Sequence, residues 1–161
     1  MVELHVQTHI AAPIERCFDL ARSIELHLLG TQATGEQAIG GVTSGLIGEG
    51  QSVRWRAKHF GIWQQLESRI TAYDRPAFFQ DTMVKGAFRF MQHDHIFQRV
   101  DADHTLMEDR FVFAAPVPFF GRLAEELVLK RYMKRFLQQR NAILKQAAES
   151  DQWKSLLLVS Q

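Results

Sequence analysis

Five ionisable side chains, His59, Asp81, His93, His95 and Asp109, fall where strand-like alternation calls for an inward, apolar residue. Ionisable groups facing a core are costly unless paired or hydrated, so five on one sheet surface imply a lined, partly wet pocket. His93-Asp94-His95 would point two imidazoles the same way from one strand. Two chemistries follow. A carboxylate that orients an imidazole beside an apolar pocket makes a base suited to cyclisation, dehydration or isomerisation. Alternatively, the two histidines with Asp81 or Asp109 from a neighbouring strand match the three protein ligands of a strand-borne zinc site. Each residue also has a plainer reading. His59 sits near a strand end and can reach solvent, Asp81 can bond backbone donors, and His93 and His95 can be hydrogen-bonded core histidines. His-x-His spacing is common by chance, so the expectation is no metal and no other cofactor.

Strands must hold these residues in place. Val2, Leu4, Val6, Thr8 and Ile10 alternate with Glu3, His5, Gln7 and His9, the mark of a half-buried strand. From Gln51 to Ala114 the alternation repeats, with inner sets Val53/Trp55/Ala57/His59, Leu66/Ser68/Ile70/Ala72, Phe79/Asp81/Met83, His93/His95/Phe97 and Met107/Asp109/Phe111/Phe113. Gly61, Asp74-Arg75-Pro76, Lys85-Gly86 and Asp101 to His104 supply the turns, giving an antiparallel meander. If Asp101 to His104 connect two antiparallel strands, facing positions have numbers summing to 204 or 205, and only an even sum keeps His93 and His95 on the same side as Asp109 and Phe111, which selects 204. His95 then faces Asp109, His93 faces Phe111 and Phe97 faces Met107. The first pair would share an imidazole–carboxylate hydrogen bond and leave the other His95 nitrogen aimed at the pocket.

Two helical stretches complete the pattern. One opens at Ala12-Pro13 and runs to about Leu29, with Phe18, Leu20, Ala21 and Ile24 on its apolar side. The other spans roughly Phe119 to Ala148, after Pro116 and Pro118 stop the last strand. Its Leu129/Met133/Phe136 seam is expected to cross the concave sheet, and Arg140 is an oddity in that seam. Residues 30 to 50 read as irregular and Gly-rich, with a helical turn near Glu36 to Ile39, and the pocket is expected to open toward them. The 149–161 tail, with Trp153 and Leu156-Leu157-Leu158-Val159, has no account from sequence.

Composition narrows the function further. The formal net charge is +1, without the basic excess that nucleic-acid binding requires. Lys130, Arg131, Lys134 and Arg135, preceded by Glu125 and Glu126, suit a solvated helix face. No run approaches the roughly 18 apolar residues of a membrane span, and the N-terminus lacks a secretory pattern. The single Cys17 fits a reducing compartment, so a cytoplasmic location is expected. No nucleophile elbow, phosphate loop or dinucleotide fingerprint is present. Twelve Phe residues suit an apolar pocket, and Trp55, Phe79, Met83, Phe88, Phe97 and Phe111 are its candidate wall.

Several motifs, taken as a set, carry a resemblance. They are Thr43-Ser44-Gly45-Leu46-Ile47, Trp55-Arg56-Ala57-Lys58-His59-Phe60-Gly61, Arg75-Pro76 with Phe79-Gln80-Asp81-Thr82-Met83, Gly86-Ala87-Phe88, His93-Asp94-His95-Ile96-Phe97 and Arg131-Tyr132-Met133. Over residues 2 to 146 the chain resembles the bacterial ligand-binding, polyketide-cyclase-like group of the SRPBCC superfamily, which includes START lipid-transfer domains and the birch-pollen allergen. The resemblance implies an α+β helix-grip fold, a curved antiparallel sheet wrapped around a long C-terminal helix, and a pocket between them. It supplies no reaction. The expectation is one domain over residues 1–148, with a tail at 149–161, that binds a hydrophobic small molecule. The alternative is a cyclase- or dehydratase-type enzyme using a His/Asp pair in the same cavity. Oligomeric state is open.

Overall fold

The described residues form seven strands: β1 (Val2–Ile10), β2 (Gln37–Gly41), β3 (Ser52–His59), β4 (Ile62–Asp74), β5 (Phe78–Lys85), β6 (Phe90–Arg99) and β7 (Thr105–Ala114). Among the described residues these are accompanied by four helices, α1 (Ile14–Ala21), α2 (Ile24–Gly30), α3 (Arg122–Glu149) and α4 (Gln152–Leu157). The computed structural model describes residues 1–115 and 122–158, with side chains from 127 onward in the second stretch. Pro116, Pro118, Phe119 and Val159, and the side chains of Glu125 and Glu126, lie outside the described residues.

The strands form one antiparallel sheet in the order β1-β7-β6-β5-β4-β3-β2. The β3–β4 hairpin turns on Phe60 and Gly61, both at positive φ (50° and 77°), the two-residue turn that matches strand twist. Two bulges interrupt the β4–β5 pairing, at Glu67/Ser68 and Ile70/Ala72, and bulges bend a strand and sharpen its twist. The second bulge corrects the expected facing. Tyr73, rather than Ala72, stands opposite Phe79 and packs edge-on against Phe18. Along β6 and β7 the register is the one read from the turn: His95 faces Asp109, His93 faces Phe111 and Phe97 faces Met107.

Two local readings change. The stretch from Pro13 to Leu29 is two helices, because Ser23 accepts a hydrogen bond from the Leu26 N–H (3.2 Å) and caps a new start. The Ser23 backbone is meanwhile bridged to Leu46. Between residues 30 and 50, a short 3-10 turn at Gln32–Thr34 replaces the expected turn at Glu36 to Ile39, which is instead largely β2. A Cβ on Gly41 (φ 71°) would sit 2.1 Å from the Ser52 carbonyl oxygen, so only glycine lets β2 close onto β3 here.

α3 lies across the sheet with Met133, Leu137, Arg140, Asn141, Leu144, Ala147 and Ala148 buried. The seam is therefore rotated from the expected one: Leu129 and Phe136 are half-buried. Lys130, Arg131, Lys134 and Arg135 are exposed. The chain then turns back through α4, whose Leu156 and Trp153 join the core around α1, with the Arg16 guanidinium 4.2 Å above the Trp153 ring. The apolar core is in two parts. One surrounds Phe18, which meets the Tyr73, Phe79 and Phe97 rings edge-on at 5.4 Å each. The other joins β1 and the far end of β7 to Met133 and Leu137 of α3.

Candidate functional site

The concave sheet, α2 and α3 enclose a cavity of about 320 Å³. Trp55, His59, Phe79, Asp81, Phe88, His93, His95 and Phe111 lie on its wall. Met83, Phe97 and Asp109 do not. Met83 packs with the β1/β7 core, Phe97 is sealed against Phe18, and Asp109 is fully buried behind the histidines. The segment from residue 30 to 50 contributes Glu36 and Ile47 to the wall.

The floor is a polar cluster on three adjacent strands. Asp81 on β5 stands opposite His93 on β6, and Asp109 on β7 stands opposite His95. The shortest bonds nevertheless run diagonally. His93 Nε2 donates to Asp109 Oδ1 at 2.7 Å, and His95 Nε2 donates to Asp81 Oδ1 at 3.0 Å. The direct pair expected from the register, His95 Nδ1 to Asp109 Oδ1, is looser at 3.3 Å. Ring packing accounts for the lean: His95 stacks on Phe79 (4.1 Å, 16°), and the two imidazoles lie 3.8 Å apart. Arg140 of α3 reaches the same floor, its Nη2 3.3 Å from His95 Nδ1. With that donor on Nδ1, the His95 proton belongs on Nε2, where Asp81 accepts it. Asn141 donates to the second Asp109 oxygen at 2.6 Å, while its own buried Oδ1 has no hydrogen-bond partner among the described residues. His93 Nδ1 points toward Asp81 Oδ1 at 4.0 Å, beyond hydrogen-bond reach.

Burial pushes the Asp109 carboxyl up, but the hydrogen bond from His93, the neighbouring His95 ring and the nearby Arg140 charge hold it well below the usual range. Asp81 follows the same balance: burial raises it, and the His95 bond with the surrounding positive charge lowers it further than that. His93 is driven the other way by burial and by neighbouring His95, down to about 4, so the ring is neutral near pH 7.

A second polar group stands elsewhere on the cavity wall. Glu36 accepts from His27 Nε2 at 3.1 Å, and the His27 ring stacks on Trp55 (4.1 Å, 22°). His59 Nδ1 and the Tyr132 hydroxyl are 2.7 Å apart. Burial raises the Glu36 carboxyl, yet the charge and hydrogen bond of His27 bring it below its ordinary value. Burial lowers His59, and Glu36 offsets part of that. His27, Glu36, Tyr132 and Arg140 were not among the site residues expected from sequence. Arg140 had a signal, a cation in an apolar seam. Tyr132 had a weaker one in the Arg131-Tyr132-Met133 motif. His27 and Glu36 had none, because neither lies on an alternating strand.

Sheet, long helix and enclosed cavity define a helix-grip protein. The family model described as polyketide cyclase / dehydrase and lipid transport matches residues 1–149, and the chain belongs to that family. No curated protein matches it. Among solved structures, TTHA0849 from Thermus thermophilus is 20% identical with a TM-score of 0.71, covering 92% of this chain and 100% of that one. The Zhui aromatase/cyclase from Streptomyces sp. R1128 is 15% identical with a TM-score of 0.70, covering 92% and 93%. A START superfamily protein from Mycobacterium smegmatis is 12% identical with a TM-score of 0.68, covering 91% and 97%. At these identities the likeness is one of fold. Among the described residues, no helix is long and apolar enough to cross a membrane.

Proposed function

We propose that this protein binds a hydrophobic small molecule in the cavity, with the Asp81/His93/His95 floor fixing the ligand's polar end, and that it does so in the cytoplasm. The carrying observation is a cavity of about 320 Å³ with a largely apolar wall, interrupted by the strand-borne floor cluster and the His27/Glu36 and His59/Tyr132 pairs. A mostly apolar pocket with a few convergent polar groups is the usual form of a small-molecule site. Trp55, Phe79, Phe88 and Phe111 supply the apolar contact. The single, buried Cys17 is in keeping with a reducing compartment. Native mass spectrometry of freshly purified protein should reveal a co-purified small molecule. A fluorescent hydrophobic probe should bind as well, and Ala57→Phe, which fills the void from β3, should abolish it. Unchanged probe binding by that variant would place the ligand elsewhere.

A cyclase- or dehydratase-type reaction is the second reading. One geometric feature favours it: Asp109 holds His93 Nε2 while Nδ1 faces the cavity side, the arrangement of an oriented neutral base. Turnover of a candidate polyketone that is lost in His93→Gln, with ligand affinity retained, would select the enzyme over the carrier.

A further inference from the structure

We propose that the cavity floor is a binding site for one divalent transition-metal ion, held by Asp81, His93 and His95, with zinc the best-fitting ion. One ligand atom from each residue lies within 4.8 Å of the others. Asp81 Oδ1 is 3.0 Å from His95 Nε2 and 4.0 Å from His93 Nδ1. Nitrogen and oxygen ligands about 2.1 Å from a tetrahedral zinc are about 3.4 Å apart, so small side-chain adjustments bring the three atoms onto one ion. Two imidazoles and a carboxylate suit zinc and its neighbours, whereas magnesium and calcium prefer all-oxygen sites.

The second observation is what stands behind the ligands. Metal-bound histidines almost always donate a hydrogen bond from their other ring N–H to a carboxylate, carbonyl or water. Here a single, fully buried carboxylate serves both rings: Asp109 Oδ1 is 2.7 Å from His93 Nε2 and 3.3 Å from His95 Nδ1. His93 is already in the required tautomer. His95 must move its proton from Nε2, where Asp81 now accepts it, to Nδ1, where Asp109 accepts it. Arg140, now 3.3 Å from His95 Nδ1, must give up that contact and keep its charge against the two carboxylates. The floor sets two carboxylates, Asp81 and Asp109, against one guanidinium, Arg140, a balance that an added cation suits. The three ligands project from neighbouring strands into the cavity, and a fourth position on that side would face the bound molecule. A metal there would polarise a ligand carbonyl.

Metal binding needs no small molecule, so this proposal and the binding reading fail separately. The test is calorimetric titration of the full chain with Zn²⁺ alone, with Co²⁺ absorption reporting coordination number. Wild type should bind one equivalent, with a four-coordinate Co²⁺ spectrum, and its Tm should rise with added zinc. Asp81→Asn, on the partly solvated carboxylate, should remove binding while the far-UV spectrum stays native. Asp109→Asn, which is not a ligand, should weaken affinity by about 10- to 100-fold. His93→Gln gives the same answer as Asp81→Asn if it folds, and Asp81→Asn decides if it does not. Absence of wild-type binding overturns the proposal. So does wild-type affinity in Asp81→Asn, which would assign the ion to surface histidines such as His5 or His104.

Discussion

The cavity carries two histidine–carboxylate groups built in opposite ways. The floor group, Asp81, His93, His95 and Asp109, sits on three hydrogen-bonded neighbours, β5, β6 and β7. The wall group, His27, Glu36, His59 and Tyr132, is gathered from α2, the segment just before β2, the end of β3, and α3. The imidazoles differ in exposure, 6% and 3% for His93 and His95 against 22% for His27, while the carboxylates overlap, with Asp109 at 0%, Asp81 at 18% and Glu36 at 8%. The floor is positioned by the sheet ladder itself, where register fixes each side chain to a face. The wall group depends on how four separately folded segments meet. A buried, ladder-held group should be costly to disrupt, and a group at a junction should be cheaper and more responsive to pH.

The largest expected effect tests the floor. Asp109→Ala strips a buried partner from two imidazoles and from Asn141, and should cost about 3–5 kcal/mol in denaturant unfolding. A loss under about 1 kcal/mol would show that the floor is hydrated and as tolerant as the wall group. Phe136 comes next, since its ring lies between α3 and His59, 6.0 Å from the imidazole. Full burial would give about 3–5 kcal/mol for Phe136→Ala. Half-buried on the cavity wall, it should give about 1.5–2.5 kcal/mol, and ligand affinity should fall alongside.

Glu36→Gln should cost about 1–2 kcal/mol near pH 7. The Glu36 carboxyl titrates below its ordinary value of 4.5, so its contribution is fully present above pH 4.5 and fades as pH falls through the lower folded value. The stability gap between wild type and Glu36→Gln should therefore close in acid. A gap that widens in acid would reverse the assigned sign. The smallest effect is expected for Tyr132→Phe, which removes the 2.7 Å hydrogen bond to His59 and keeps the ring. About 0.5–1.5 kcal/mol should be lost, with the His59 NMR titration curve displaced. An unmoved His59 curve would mean that the two side chains do not interact in solution.

The same contrast governs what can be read from the chain alone. Period-two alternation assigns a side chain to a face without knowledge of the fold, so His93, His95, Asp81 and Asp109 were legible as inward polar residues. The Asp101-to-His104 turn narrowed the β6–β7 register to two choices, and alternation of inner and outer faces selected the one observed. Facing failed at Ile70/Ala72, where an inserted residue breaks the period and no local residue type announces it. Helix α3 was legible in extent but not in rotation. Its buried face includes Arg140 and Asn141, chosen by the charges of Asp81 and Asp109 beneath them rather than by hydrophobic spacing.

Sequence by itself determined β1, the meander from β3 to β7, the long closing helix and the presence of ionisable groups on the concave face, but not β2 or the pairing of β1 with β7. These are consequences of short-range periodicity and turn chemistry, which act within a few residues. Tertiary structure decided which nitrogen meets which carboxylate. The diagonal His93–Asp109 and His95–Asp81 bonds arise because Phe79 stacks on one ring and Arg140 arrives from a helix 45 residues further along the chain. It also brought His27 and Glu36 to the cavity. Hydrogen bonds between residues on different elements depend on distances of a few tenths of an ångström, and only the packed fold sets these.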